Sequence, residues 1–98
     1  MANLCCNDVH ARGSKENMDH VQEFIETEFN GDVCREEDEE LTSMFDSKWT
    51  FPDKAMEEMW NLMPDKNDED LQIEVLSVEM GCYYHAIHTL DKDGWVDR

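Results

Sequence analysis

Ninety-eight residues carry 25 Asp and Glu against 8 Lys and Arg, a formal charge of -17. Such a surface repels nucleic acid and anionic membranes and attracts basic partners. Apolar residues make up 40% of the chain, with three Trp, four Phe and seven Met, so a single domain, 1–98, with one small core is expected, not an acidic disordered tail.

Residues 3–12 read as a strand, with Leu4, Cys6, Asp8 and His10 on one face and Cys5, Asn7, Val9 and Ala11 on the other. Arg12-Gly13-Ser14 breaks it, and Ser14 is a helix N-cap candidate. Lys15 to Phe29 is the clearest helix. Met18, Val21, Phe24, Ile25 and Phe29 form its apolar stripe. At ~100° per residue, Glu16, Asp19, Glu23 and Glu26 share a sector of about 80° on the opposite side. That sector holds no basic residue, whereas a typical surface helix mixes signs to gain i,i+4 pairs.

Asn30-Gly31-Asp32 ends the helix and opens an acidic loop at about 30–42, including the run Glu36, Glu37, Asp38, Glu39 and Glu40. Leu41 to Phe51 reads as an extended segment. Phe51-Pro52-Asp53 stays extended because a residue before Pro avoids the helical region. The second helix, Lys54 to Met63, has Ala55, Met56, Met59, Trp60 and Met63 as its stripe, and Pro64 stops it. Asp65 to Asp70 is a polar linker that includes the cluster Asp68-Glu69-Asp70. Leu71 to Val78 is the strongest strand signal, and Cys82 to Thr89 pairs with it as a hairpin around Gly81. Leu90 to Gly94 is a final turn, with Trp95-Val96 as a short edge segment. The predicted order is β-α-β-α-β-β. It describes a two-layer α+β sandwich, ferredoxin-like, with two helices on one face of a roughly four-stranded sheet.

Three short patterns resemble a known family. Met1-Ala2-Asn3-Leu4-Cys5-Cys6-Asn7 resembles the M-(A/P)-N-W-C-x-N opening of small phage and plasmid proteins of the YubB-type (Api-like) ferredoxin-like family. Leu4 stands where that family usually has Trp. Phe45 to Pro52 resembles its F-x-S-x-W-x-x-P stretch, and Val78-Glu79-Met80-Gly81-Cys82 its (Y/S)-x-E-x-G strand turn. The resemblance implies a ferredoxin-like fold and a mobile-element origin. It implies no catalytic residues.

Little else points to chemistry. Cys5, Cys6, Cys34 and Cys82 are expected to be free thiols in a reducing cytoplasm, because the first residues lack the charged and apolar regions of a secretion signal. No apolar run approaches the ~18 residues of a membrane span. Cys82, His85 and His88 invite a metal reading, but on a strand Cys82 and His88 share a face that His85 does not. Asp91-Lys92-Asp93-Gly94 lacks the later ligands of a calcium loop and reads as a turn. No nucleophile motif, phosphate loop or distinct carboxylate pair appears, so neither enzyme activity nor a cofactor is expected.

The remaining signal is charge. A small domain that repels itself this strongly is explained if the charge is used. The expected function is stoichiometric binding to a basic nucleic-acid-binding host or defence protein, as an anti-CRISPR or anti-restriction inhibitor that mimics nucleic acid. The candidate contacts are Glu16, Asp19, Glu23, Glu26, Glu36, Glu37, Asp38, Glu39, Glu40, Asp68, Glu69 and Asp70. The alternative is an accessory protein that binds its partner, or a second copy of itself, through a sheet face or edge, with incidental acidity. A lesser alternative is metal binding through Cys82 and His88. Trp95, beside the final turn, is expected to be exposed enough to anchor a partner.

Overall fold

A computed structural model describes residues 4–48, 50–79 and 84–97. The element order is β1 (Leu4–Arg12), α1 (Lys15–Glu28), β2 (Asp32–Glu37), β3 (Glu40–Lys48), α2 (Asp53–Asn61), β4 (Gln72–Glu79), β5 (Tyr84–Asp91) and β6 (Gly94–Asp97). All the strands pair antiparallel in one six-stranded sheet of order β2-β3-β1-β4-β5-β6. Both helices lie on one face, so the architecture is two-layer α+β.

The sheet is wider than the sequence pattern predicts. The expected acidic loop at 30–42 is instead β2, a two-residue turn and the start of β3. Cys34 sits opposite Thr42, and Glu37 opposite Glu40, with a register irregularity between. Runs of acids have low strand propensity, and that masked β2. Pairing with β3 overrides the propensity, because an edge strand can leave its carboxylates in water. The final segment likewise becomes a true strand, β6, on the opposite edge.

Alternation along β1 is as expected. Cys5, Asn7, Val9 and Ala11 are buried under the helices, and Leu4, Cys6, Asp8 and His10 point the other way. Val9, Leu41, Phe45, Ile73, Val75 and Leu90 form the sheet side of the core. Met18, Val21, Phe24 and Ile25 of α1 close over it, together with Met56 and Met59 of α2. Ser14 caps α1, its hydroxyl accepting from the Asn17 N–H at 3.2 Å. Phe29 stacks on Phe45 with centroids 4.2 Å apart, seating the end of α1 on β3. His20 Nε2 lies 2.9 Å from the Met59 carbonyl and joins the helices; a carbonyl only accepts, so that nitrogen carries the hydrogen. Trp95 is half-buried, not an exposed anchor. Its indole N–H donates to the Met56 carbonyl at 2.8 Å and ties α2 to β6. Trp49 lies outside the described residues.

One polar side chain is built into the centre of the covered face. Asn7 is fully buried. Its amide donates to the Phe45 carbonyl at 3.3 Å and the Ser47 hydroxyl at 2.9 Å, and its oxygen accepts from the Ser77 hydroxyl at 2.7 Å. Three adjacent interior strands, β3, β1 and β4, are thereby stitched together through one side chain. Replacing Asn7 with Ala leaves these buried partners unmatched. We expect Asn7→Ala to cost about 1–3 kcal/mol in urea unfolding, with part of the loss recovered in the Asn7→Ala, Ser77→Ala double variant.

Candidate functional site

The candidate acids divide among α1, the β2–β3 turn and the 65–70 linker, segments far apart in the chain. Strand register brings the ends of these segments together. Arg12 pairs with both Glu40 and Gln72, so β1 ends where β3 and β4 begin. The β2–β3 turn, the linker and the start of α1 therefore meet at one end of the sheet. The β5–β6 turn is at the same end, since Ile73 pairs with Leu90 and Asp91 with Gly94.

Three contacts hold the assembly in place. The first is at the N-terminus of α1. The Asp68 carboxylate accepts from the Ser14 backbone N–H at 2.6 Å and from the Asn17 amide at 3.1 Å. Asn17, itself fully buried, also donates to the Asp65 carbonyl and accepts from the Asp65 N–H, each at 2.9 Å. Gly13 is required for this approach, because a Cβ there would stand 2.8 Å from the Asp68 Oδ2 and 3.3 Å from the Leu71 Cα. The Gly13 N–H donates to the Glu39 carbonyl at 3.0 Å, fixing the β2–β3 turn against the same point.

The second contact is Arg35. Its guanidinium meets Asp19 at 3.0 Å and Gln22 at 2.9 Å on α1, and donates to the Asp38 and Glu37 carbonyls at 2.6 and 3.3 Å. It is an internal strap between helix and hairpin, with its side chain only 16% exposed. Lys15 reaches the other oxygen of Asp19 at 2.8 Å. The third contact is weaker. Lys92 lies 3.8 Å from Glu69, beside the β5–β6 turn.

The candidate residues therefore differ in role. Glu16, Glu23, Glu26, Glu37, Asp38, Glu39, Glu40 and Asp70 are exposed. Asp19 is exposed but engaged by two cations, which hold its carboxyl below the usual aspartate range, the Lys15 hydrogen bond foremost. Asp68 is half-buried and structural. Burial opposes its charge, yet the N–H groups of Ser14 and Asp70 and the Asn17 amide outweigh it and keep the carboxyl low. The side chain of Glu36 lies outside the described residues. Glu23 and Glu26 continue the acidic surface along α1, away from the turns. Nothing in the sequence pattern flags Arg35 or Asn17, because their importance lies in partners far along the chain.

Among the described residues, no group of three or more His, Cys, Asp or Glu is placed to hold a metal ion. His88 is buried and stacks on Phe51 at 3.7 Å, while His85 points to the opposite, exposed face; Cys82 lies outside the described residues. Burial pushes the Cys5 and Cys6 thiols up, with Asp46 and Asp8 adding to the effect on Cys6, so both stay protonated at neutral pH. Cys5, Cys6 and Cys34 are free. Among the described residues no helix is long and apolar enough to cross a membrane. No family model, no curated protein and no solved structure matches the chain.

Asp68 contributes to the pH dependence of the site. Its carboxyl is lower in the folded state than in the unfolded chain. The stabilisation is therefore complete above the unfolded pKa and is lost as pH falls through the folded value. We expect Asp68→Ala to destabilise the domain by about 2 kcal/mol at neutral pH. The gap between variant and wild type should close in acid. Urea titrations from neutral pH down through the carboxylate range check both points.

Proposed function

We propose that this chain is a mobile-element-encoded acidic binding protein. It inhibits a nucleic-acid-binding or defence protein of the host by occupying that protein's basic surface. The mode is stoichiometric and non-enzymatic, in the host cytoplasm. The observation that carries this reading is the convergence of acids at one end of the sheet. A domain made acidic only for solubility has no reason to gather them, whereas a mimic needs a contiguous charged face.

The physical drive is the one that nucleic acid itself uses. A basic groove releases the anions it holds when it meets an alternative polyanion, and opposite potentials steer the encounter. Carboxylates three or four residues apart on α1 rise ~4.5–6 Å, comparable in scale to the ~3.4 Å phosphate rise along one strand of a duplex. Glu23 and Glu26 have that spacing, Glu16 stands two turns (~10.5 Å) earlier with the cation-engaged Asp19 between, and the β2–β3 turn broadens the surface at the Glu16 end. The helix N-terminus favours Glu16 and the linker carboxylates beside it, offsetting part of the repulsion at that end.

The family reading is part of the same proposal. In this reading β1 to β4, in sheet order β2-β3-β1-β4, correspond to the split βαβ core of a ferredoxin-like domain. On that view β5 and β6 are an extension of one edge. We propose the YubB-type phage and plasmid family on the three sequence patterns alone.

Capture of a target from host lysate on the immobilised protein tests the function. The captured protein should be a nucleic-acid-binding enzyme, displaced by duplex DNA, with affinity falling about tenfold or more between roughly 50 and 200 mM salt. Glu16→Lys with Glu23→Lys should weaken capture by about tenfold without loss of fold, since both are exposed helix positions. Retention that is indifferent to DNA, to salt and to these reversals would sink the proposal.

A further inference from the structure

The helices account for one face of the sheet. The opposite face is open, and it is not polar throughout. Leu4, Met44, Leu76, Ile87 and Val96 are 53%, 57%, 39%, 39% and 54% exposed, and all five project from it. An open antiparallel sheet face normally shows water mainly polar positions. Contiguous exposed apolar surface marks interaction sites.

The register joins most of these residues into one band. Leu4 and Cys6 follow each other on β1, and Cys6 is opposite Val78. Leu76 is next along β4 and is opposite Ile87 on β5. Val96 on β6 is opposite Thr89 and therefore diagonal to Ile87. The band crosses three strand steps, ~14 Å, obliquely from the start of β1 to β6. It also descends three same-face rows, ~20 Å along the strands, so its oblique length is ~25 Å and between four and five turns of helix would cover it.

Charge selects what kind of helix. Asp8 lies between Met44 and Leu76 in the same row and is 44% exposed. Glu74 is one row further, opposite His10 and Thr89. Both carboxylates flank the same side of the band. Among the described residues the Lys and Arg of this face are Arg12, opposite Glu40 and Gln72, and Lys48, opposite Leu4, while His10 Nε2 lies 3.6 Å from the Asp8 carboxylate. A second copy would bring -17 against -17 and set carboxylates against carboxylates.

We infer that the open face docks a cationic amphipathic helix of a partner protein. Its apolar stripe lies in the Leu4–Val96 band, and Lys or Arg along one margin meet Asp8 and Glu74. Asp8 is the register-setting contact, since it alone interrupts the row from Met44 to Leu76. This surface is separate from the acidic end and does not depend on that end's proposed role.

The test uses a fluorescent Leu/Lys peptide about four turns long with leucines at i, i+3, i+4 and i+7, and a scrambled peptide of identical composition. In anisotropy titrations at physiological salt, the striped peptide should bind at least about tenfold tighter than the scrambled one. Leu76→Ser with Ile87→Ser should remove most of that difference. Asp8→Lys, at a half-exposed position, should weaken binding by about tenfold and provides a second arm if the serine pair unfolds. Glu16→Lys with Glu23→Lys should leave the preference within about threefold, which separates this site from the acidic end. Amide shifts in labelled protein should follow β1, β4 and β5 on the open face. Equal binding of the two peptides overturns the inference, as do shifts confined to the turns at 38–39 and 68–70. A wild-type dimer in sedimentation that Leu76→Ser converts to monomer also overturns it, because a second copy then covers the face.

Discussion

The junction at the N-terminus of α1 is the constraint on which the acidic end depends. Asp68 and Asn17 are fifty-one positions apart and meet at 3.1 Å. Around them Ser14, Asp65 and Gly13 exchange hydrogen bonds that hold the 65–70 linker and the β2–β3 turn against the helix start. Without this junction the linker acids would be solvated independently of the helix. With it, one carboxylate is consumed as structure and its neighbours are presented as surface. The helix dipole makes the location favourable, since its first turn is the one place on an α-helix where added negative charge is stabilised.

Arg35 solves a related problem on the other side of α1. A hairpin whose turn reads Glu37-Asp38-Glu39-Glu40 should be pushed away from a helix that displays Glu16, Asp19 and Glu23. The guanidinium lies between them, neutralising Asp19 and donating to the turn carbonyls. Arg suits the task because its planar fork serves several acceptors at once. The result is local neutralisation beneath a surface that remains strongly negative. Electrostatic repulsion is thus managed inside the interface between elements, and the excess charge faces water.

The molecule consequently has two unlike surfaces. One end and the outer face of α1 are carboxylate-rich and suited to long-range attraction. The open sheet face carries an oblique apolar band, suited to short-range contact after desolvation. In the proposals made for them both take basic partners, but through different physics. Charge at the acidic end acts chiefly through association rate and salt dependence, whereas apolar burial acts chiefly through residence time.

Periodicity and punctuation made much of the fold legible. The α1 stripe from Met18 to Ile25, the Ser14 cap, the Pro64 stop and the alternation of β1 and β4 all follow from local stereochemistry that any sequence must obey. The acidic sector of α1 was legible for the same reason, since helical spacing alone assigns Glu16, Asp19, Glu23 and Glu26 to one side. β2 was not legible. Asp32 to Glu37 becomes a strand only because β3 offers it an edge, and the acidic run hides that tendency. Trp95 illustrates the same limit, since its indole is occupied by a carbonyl of α2 thirty-nine positions earlier.

What the sequence by itself determined was the sign and excess of charge, the two amphipathic helices and the α+β class, because each is a property of composition or of neighbours within a few positions. Only the tertiary structure decided which acids stand together and which are consumed. It also decided that Leu4, Leu76, Ile87 and Val96 join across four strands into one band. These are matters of register, and register is set by the burial of the whole covered face at once rather than by any local pattern.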